Sequence, residues 1–360
     1  MIKCSLSSSV LFVDMRAIGP SFLLLQMLPQ DSVRQNRSAL AKAQVELSTQ
    51  RHSDILQQLG GQTGRNIRWH AELTSLESTI QSNNLHDTRA NVAQTSLKAI
   101  TTLASDFLNN LIGSRGAEGG QGIIQGQAKN VLASLRDALN TDIDGAFLFA
   151  GRNQTSPPMR TFSGAAGEVQ FDVLFQAEFG ISKNDPSVQN ITTAQLDGFL
   201  NGGLDTMFQS PGWEANFSSA SDQNVLAYVN KGQRINTLAN ANELPIRQLV
   251  AALTAVSEIS SGKLNDSTFK KLVDSAASKV SSAVQGLTDI QSRVGLNQKS
   301  LEEATLQQKT RKSWLNEAIL KTESVDTYEV ATRINGLTSQ LEASYSVTSR
   351  LSRISLLNYL

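Results

Sequence analysis

Cysteine is almost absent: 360 residues carry a single one, Cys4. No intrachain disulfide can form, and a thiolate metal cluster is excluded. Aromatic residues reach only 6%. With Ser, Thr, Asn, Gln and Ala plentiful, this composition builds helices with thin apolar stripes better than a thick globular core. Charge of either sign is not in excess, since Lys plus Arg and Asp plus Glu each total 32. Nucleic acid and anionic membrane both select basic patches, so neither is expected as a partner. Neutrality also leaves little repulsion between copies, which is compatible with self-association. Long hydrophobic runs are missing too. Ser5 to Val13 and Phe22 to Leu28 are the two apolar stretches near the start, and neither reaches the roughly 18 residues of a membrane span. Lys3 ahead of the first run makes a poor signal peptide, so a cleaved signal is not expected. Met15 offers an alternative start, and residues 1–30 are set apart from the regular patterns that follow.

What is present is helical periodicity. From Asp31, with Asp31 or Ser32 as cap, Val33, Leu40, Ala43 and Leu47 fall near one face, while Arg34, Arg37, Lys42 and Glu46 fall on the other. Three glycines within Leu59 to Gly64 break this helix. A second segment from about Ile67 to Ser114 places Leu73, Leu76, Ile80, Leu97, Ile100, Ala104, Phe107 and Leu111 at threes and fours. Asn83 and Asn84 interrupt its stripe, as polar register-setting inserts do. Gly116 to Gly126 reads as an interhelical loop, and Gln127 to Asp142 as another helix. The glycine-bounded run Gly145 to Gly151, ahead of Pro157-Pro158, reads as a strand or chain reversal.

Residues 146–240 differ, with many of the phenylalanines and Trp213. Glu168 to Phe175 alternates as a half-buried strand does. Thr193 to Phe208 suits a short helix. Val225 to Val229 and Gln233 to Leu238 suit strands paired around Asn230-Lys231-Gly232. Helices return from Glu243 to Ile259 and from Asp266 or Ser267 onward. The seam Leu287, Ile290, Val294, Asn297, Leu301, Ala304, Gln308, Arg311, Leu315, Ala318 keeps threes and fours without a break. After a break within Thr322 to Tyr328, the last helix continues the pattern with Val330, Ile334, Leu337, Leu341, Ser344, Thr348, Leu351 and Ser355. Half of its later positions are small and hydroxylated, so the seam is weak for its length, yet Leu356, Leu357 and Leu360 leave the terminus apolar. The expected fold is mainly α: a long antiparallel coiled-coil rod from the N- and C-terminal halves with a small α+β insert. The divisions are 1–30, 31–145 (helical), 146–240 (insert) and 241–360 (helical).

A search for chemistry finds none. His52, His70 and His86 share no ligand spacing and read as exposed helix residues. Glu302-Glu303 and the Asp142/Asp144 pair read as solvated faces and caps. The glycines at 116–126 lack the Gly-Lys-Ser/Thr of a phosphate loop and the spacing of a dinucleotide turn. No Gly-x-Ser-x-Gly elbow occurs. The apolar stripes lack the basic flanks of a lipid-binding face. No enzyme activity, cofactor or metal is expected.

The ends of the chain resemble the flagellin family. The resemblance rests on Ser324-Val325-Asp326-Thr327-Tyr328-Glu329 and Ser355 to Leu360 at one end. At the other it rests on Ala43 to Arg51, Leu59 to Gly64 and Phe147 to Asn153. Gln50 departs from it, standing where the family usually has glycine. Trp213 to Ser221 and Ala239 to Glu243 are similar to the hook–filament junction branch of the family (hook-associated protein 3) in alphaproteobacteria. The likeness runs over about residues 30–360. It implies a structural subunit of the bacterial flagellum that joins hook to filament, the filament flagellin being the alternative. It also implies an extracellular location after unfolded passage through the type III export apparatus with a flagellar export chaperone. The implied contacts are other copies in a ring or helical homo-oligomer, hook-associated protein 1 below and flagellin above. The expected assembly residues are Leu40 and Leu47 near the start, and Val330, Ile334, Leu337, Leu341, Leu351, Ile354, Leu357 and Leu360 in the last helix.

Overall fold

The computed structural model of the protein describes residues 22–357 apart from 118, 231–232, 237 and 260–263. Side chains are described over 31–350, apart from those positions and 229, 230 and 233. Cys4, Met15 and the first apolar run lie outside the described residues. The architecture is mainly α, as the periodicity predicts, with two small two-stranded sheets among the described residues. Packing divides the chain into two compact units. One comprises residues up to Leu73 together with Ser313 onward, and the other comprises Thr74–Lys312.

The helices near the start are α1 (Phe22–Thr49), α2 (Ile55–Leu59) and α3 (Thr63–Ser114), and the last two are α10 (Asp266–Glu323) and α11 (Thr327–Leu357). Two corrections fall here. Helix α1 begins before Asp31 and continues through Pro29. Proline at that depth costs a helix one N–H bond and crowds the carbonyl four residues before it, about 3 kcal/mol, yet the backbone is helical on both sides of it. Helix α1 also ends at Thr49, well before the glycines that begin at Gly60, because Gln50 takes a left-handed conformation (φ 56°).

In the larger unit, α3 and α10 run antiparallel, and their register can be read from polar rungs. Asn83 donates to Gln308 at 3.2 Å, and Gln298 donates to Asn91 at 2.8 Å and to Asp87 at 2.9 Å. Gln94 donates to the carbonyl of Gln291 at 2.8 Å, and Arg115 forks onto Asp274 at 2.7 and 2.8 Å. In each pair one number rises as the other falls. Between the rungs Leu97, Ile100, Ala104, Phe107 and Leu111 are buried, facing the buried seam of Leu287, Ile290, Val294, Leu301 and Ala304. Asn83 and Gln308 are themselves buried, so the polar insert does sit inside the seam and fixes which residues face each other.

Helix α4 (Gly120–Leu139) corrects the loop expected over residues 116–126, since the helix begins at Gly120. Burial of Ile124, Ala128, Leu132, Leu135 and Leu139 along one stripe outweighs the poor helix propensity of the glycines. Gly120 is also required for space, because a Cβ there would come within 2.6 Å of the Ser114 carbonyl oxygen.

The expected reversal is a hairpin of β1 (Asp142–Ile143) and β2 (Ala146–Phe147), turning through Asp144 and Gly145, both at positive φ. Next comes α5 (Ala166–Phe179), where a strand was expected. The stretch supports both periods. Val169 and Val173 satisfy alternation but are 62% and 55% exposed, whereas Gly167, Phe171 and Phe175, four apart, are buried. The ring cluster of Phe171, Phe175, Phe179 and Phe199 decides in favour of the helical period. Thr193 to Phe208 forms α6 (Thr193–Asn201) and α7 (Gly203–Thr206), and α8 (Gly212–Asn216) follows. The expected strand pair is present as β3 (Leu226–Asn230) and β4 (Gln233–Asn236), and the expected helix as α9 (Leu244–Ile259). A single hydrophobic cluster passes through α3, α4, the segment between β2 and β3, α9 and α10.

Two stretches that stand far apart in sequence meet in one network. Trp213 is fully buried, stacks with Phe217 at 5.3 Å and donates from its indole N–H to Asn242 at 2.8 Å. Ser218 donates to the same Asn242 oxygen at 2.5 Å, while the Asn242 amide donates to Asp222 at 2.7 Å. Asn240 holds the carbonyl of Ser221 at 2.6 Å and Asn224 at 2.9 Å. Gly151, at φ 60°, packs so closely that a Cβ there would strike the carbonyls of Ser221 and Gln223. Gly151→Ala should therefore lower stability by about 2–4 kcal/mol, combining left-handed strain with a backbone clash. Thermal unfolding followed by circular dichroism measures it, and an unchanged midpoint would show that the loop can move aside.

Candidate assembly interface

The smaller unit holds α1, α2 and α11 with the start of α3 and the end of α10. Helices α1 and α11 pair antiparallel along thin stripes. The predicted positions on α11 are the less exposed ones: Val330 and Leu341 are buried, and Ile334, Leu337, Ser344 and Thr348 are half-buried. The stripe on α1 is Val33, Asn36, Leu40, Ala43 and Glu46. Leu47 is 39% exposed, so it turns away from this stripe, and Glu46, expected on the polar side, takes the place. A carboxylate is tolerated there because it is fully engaged. Arg333 donates to it at 3.0 Å, and the Ser53 amide and hydroxyl at 3.1 and 3.2 Å. Arg37 lies over the Tyr345 ring, 5.6 Å from its centre, which fixes the same antiparallel register further along. The side chains of Leu351, Ile354 and Leu357, and Leu360 altogether, lie outside the described residues.

The two helix breaks of this unit lie side by side. Arg51 and Ser324 form an antiparallel bridge. The amide of His52 donates to the carbonyl of Glu323 at 2.9 Å, and that of Val325 to the carbonyl of Gln50 at 3.1 Å. Asp326 then caps α11, accepting from the amides of Tyr328 at 2.8 Å and Glu329 at 3.4 Å.

At the centre is Glu323, the last residue of α10 and only 1% exposed. Its carboxylate accepts from Arg51 at 3.1 Å, from Asn66 at 3.0 Å and from His70 Nε2 at 2.6 Å. An ionised carboxylate only accepts, so Nε2 of His70 carries the hydrogen. Burial pushes the Glu323 carboxyl up, but the hydrogen bonds from His70 and Asn66 and the charges of His70 and Arg51 outweigh it and hold it below the usual value. This cluster corrects the reading of the histidines as merely exposed helix residues. His70 binds Glu323, and the half-buried His52 lies 4.0 Å from Glu46. Nothing in the local sequence marks Glu323 as buried, since its partners come from elements more than 250 residues away in the chain.

Outside these contacts the unit is rich in exposed apolar side chains: Val45, Leu56, Ile67, Trp314, Leu320, Tyr328, Tyr345 and Val347 are all more than 45% or close to half exposed, with Leu47 beside them. Tyr328 reaches 83%. Trp69 and Trp314 meet edge to face at 5.9 Å.

The larger unit holds one strongly charged interior cluster. The Lys183 ammonium, 11% exposed, lies 2.6 Å from Glu258, 2.9 Å from Asp172 and 3.1 Å from Glu168. Burial would lower its pKa, but the hydrogen bonds it donates to the three carboxylates, with the charge of Glu258, override this and raise it. The lysine stays charged and ties the end of α9 to α5, a structural role. Among the described residues no group of three His, Cys, Asp or Glu is placed to hold a metal ion, and no helix is long and apolar enough to cross a membrane.

Family comparison agrees with this arrangement of paired terminal helices. The family description "bacterial flagellin N-terminal helical region" matches residues 21–154, and "bacterial flagellin C-terminal helical region" matches residues 277–360, together more than half of the chain. The chain belongs to the flagellin family. Among solved structures, this flagellin-family chain is similar in fold to a Vibrio parahaemolyticus protein provisionally described as flagellar hook-associated. The TM-score is 0.51 at 11% identity, covering 73% of this chain and 98% of that one. No curated protein matches its sequence. The family is structural rather than enzymatic and self-assembles into flagellar structures, which locates the chain in the flagellum.

Gln50 holds a left-handed conformation (φ 56°) that glycine adopts at less cost. A side chain at positive φ costs about 1–2 kcal/mol, partly offset by the lower chain entropy of the unfolded non-glycine residue. Gln50→Gly should raise stability by up to about 1 kcal/mol and Gln50→Val should lower it, as denaturant titration will show. Acid should act through Glu323. Its folded pKa is lowered, so the stabilisation is complete above the unfolded value and is lost as pH falls through the lowered folded value. Helical content and tryptophan fluorescence, titrated from pH 7 to 2, should show this loss in the native chain. The corresponding component should be missing from Glu323→Gln.

Proposed function

We propose that this chain is the flagellar subunit that joins the hook to the filament. It would be exported through the type III apparatus without a cleaved signal peptide, then assembled as a ring or helical array of copies between hook-associated protein 1 and flagellin. The observation that carries the assembly role is the exposed apolar surface of the smaller unit. Val45, Leu56, Ile67, Leu320, Tyr328 and Val347 remain in water in the free chain, and burying them against neighbouring copies is favourable at about 25 cal/mol per Å². The thin α1–α11 seam agrees with this, because helices that half-bury their own stripe are completed by a partner. On this reading Leu40, Leu47, Val330, Ile334, Leu337, Leu341, Leu351, Ile354, Leu357 and Leu360 belong to the assembly surface, and residues 146–240 form the insert that faces outward.

The junction role is supported by the Trp213–Asn242 network. It joins the two stretches that resemble the junction branch, Trp213 to Ser221 and Ala239 to Glu243. The fold-level likeness to a protein described as hook-associated points the same way. A filament flagellin is the second reading, favoured by the match of both terminal regions to flagellin descriptions.

Immunogold labelling of isolated flagella separates them. A narrow band at the distal end of the hook is expected, and label along the filament would replace the junction reading with the flagellin one. Deleting Leu351 to Leu360 should leave a soluble monomer that fails to join the hook. Normal filaments from that truncated chain would remove the terminal helix from the assembly surface.

A further inference from the structure

The chain contains two Asn-Gly pairs, Asn201-Gly202 and Asn335-Gly336. This dipeptide carries a chemistry of its own. The backbone nitrogen of the glycine can attack the side-chain carbonyl carbon of the asparagine, because no Cβ on the second residue hinders the approach. The surrounding backbone decides whether it does so. A nitrogen that donates a hydrogen bond inside a helix must first be released by local opening.

The two pairs differ in that respect. Asn335 and Gly336 are exposed but lie inside regular helix, within α11, so the Gly336 amide is committed to the carbonyl four residues earlier. Asn201 is the last residue of α6, and Gly202 is the single residue between α6 and α7, at φ −113° and ψ −98°. The amides that follow α4, α5 and α8, those of Asn140, Gly180 and Phe217, each return to a helix carbonyl. The Gly202 amide caps none. Asn201 and Gly202 are both exposed, so water and base reach them. The glycine is also fixed by packing, since a Cβ at this position would lie 2.7 Å from the Gly198 carbonyl oxygen. The fold thus requires the residue that makes the pair reactive.

We propose that Asn201 is a site of spontaneous deamidation in the folded chain. The Gly202 nitrogen loses its proton to base and bonds to Cγ of Asn201. The bond from Cγ to the side-chain nitrogen breaks, and that nitrogen leaves as ammonia. The resulting five-membered imide takes up one water, which opens it to aspartate or isoaspartate and returns the Gly202 N–H. The nitrogen that leaves is the donor of the hydrogen bond from Asn201 to Asp197 at 3.0 Å. Its loss sets a second carboxylate one turn from the first, at a helix end whose dipole also disfavours negative charge. Asp197 already pairs with Lys271 of α10 at 2.9 Å, and the same turns of α6 bury Leu196, Phe199 and Leu200. Conversion therefore loosens the end of α6 as the subunit ages. The reaction needs no neighbour, so the inference stands whether the subunit sits at the hook or along the filament.

Ageing the full-length protein at mildly alkaline pH and physiological temperature, with peptide mapping by mass spectrometry, tests it. Residue 201 should gain one dalton and resolve into aspartate and isoaspartate peptides about tenfold or more faster than residue 335, whose amide must open before it reacts. In guanidinium, where neither backbone is held, the two should convert at similar rates. Asn201→Gln should abolish the conversion at that position. Equal rates in the folded protein, or faster conversion at Asn335, would overturn the proposal. The consequence is read separately by thermal unfolding. Asn201→Asp should lower the midpoint, and adding Asp197→Asn should recover most of the loss by removing the facing carboxylate. A midpoint unchanged by Asn201→Asp would show that conversion leaves α6 undisturbed.

Discussion

Register between two antiparallel helices is the constraint on which the larger unit depends. Helices α3 and α10 carry thin apolar stripes, and stripes of that kind slide past each other at little cost. The polar rungs prevent it. Shifting Asn83 from Gln308 would strand buried amides without partners, and the same shift would break the half-buried bond from Gln94 to the carbonyl of Gln291. The hydrophobic residues provide most of the attraction, and the amides decide which of many similar alignments is native. Once that register is set, α4 and α9 pack onto it, and the phenylalanine cluster and the Trp213 network close the core between β2 and α9.

The smaller unit follows the opposite plan. Its helices are joined by a thin apolar seam together with buried ion pairs. Glu46 and Glu323 are buried carboxylates, each satisfied by donors from distant segments. A buried carboxylate that keeps its charge demands its partners in specific places, so it defines geometry better than it adds stability. The apolar side chains that would ordinarily have stabilised such a unit are instead on its outside. That distribution suits a flagellin-family chain that assembles with other copies.

The two departures from local sequence rules fall at informative places. Gln50 occupies a left-handed conformation that glycine takes more easily, and it does so at the crossing where the chain leaves α1. Glycines 120, 122 and 126 lie inside a helix, and the first of them is there because the Ser114 carbonyl leaves no room for a side chain. In both cases the packing of distant residues outweighs local preference.

The sequence by itself determined the mainly helical fold, the presence of the long helices, the break before the last one and the stripe along it, because periodicity of three and four is a local property. It also contained the family resemblance and the polar inserts in the seams. It did not determine whether Glu168 to Phe175 is strand or helix, since Val169, Phe171, Val173 and Phe175 fit one period while Gly167, Phe171 and Phe175 fit the other. Contact with Phe199 made that choice. Nor could it place Glu46 and Glu323 inside, or bring His70 to a carboxylate 253 residues away. Burial of a charge is decided by which donors the rest of the fold delivers to it, and that is a property of the tertiary structure alone.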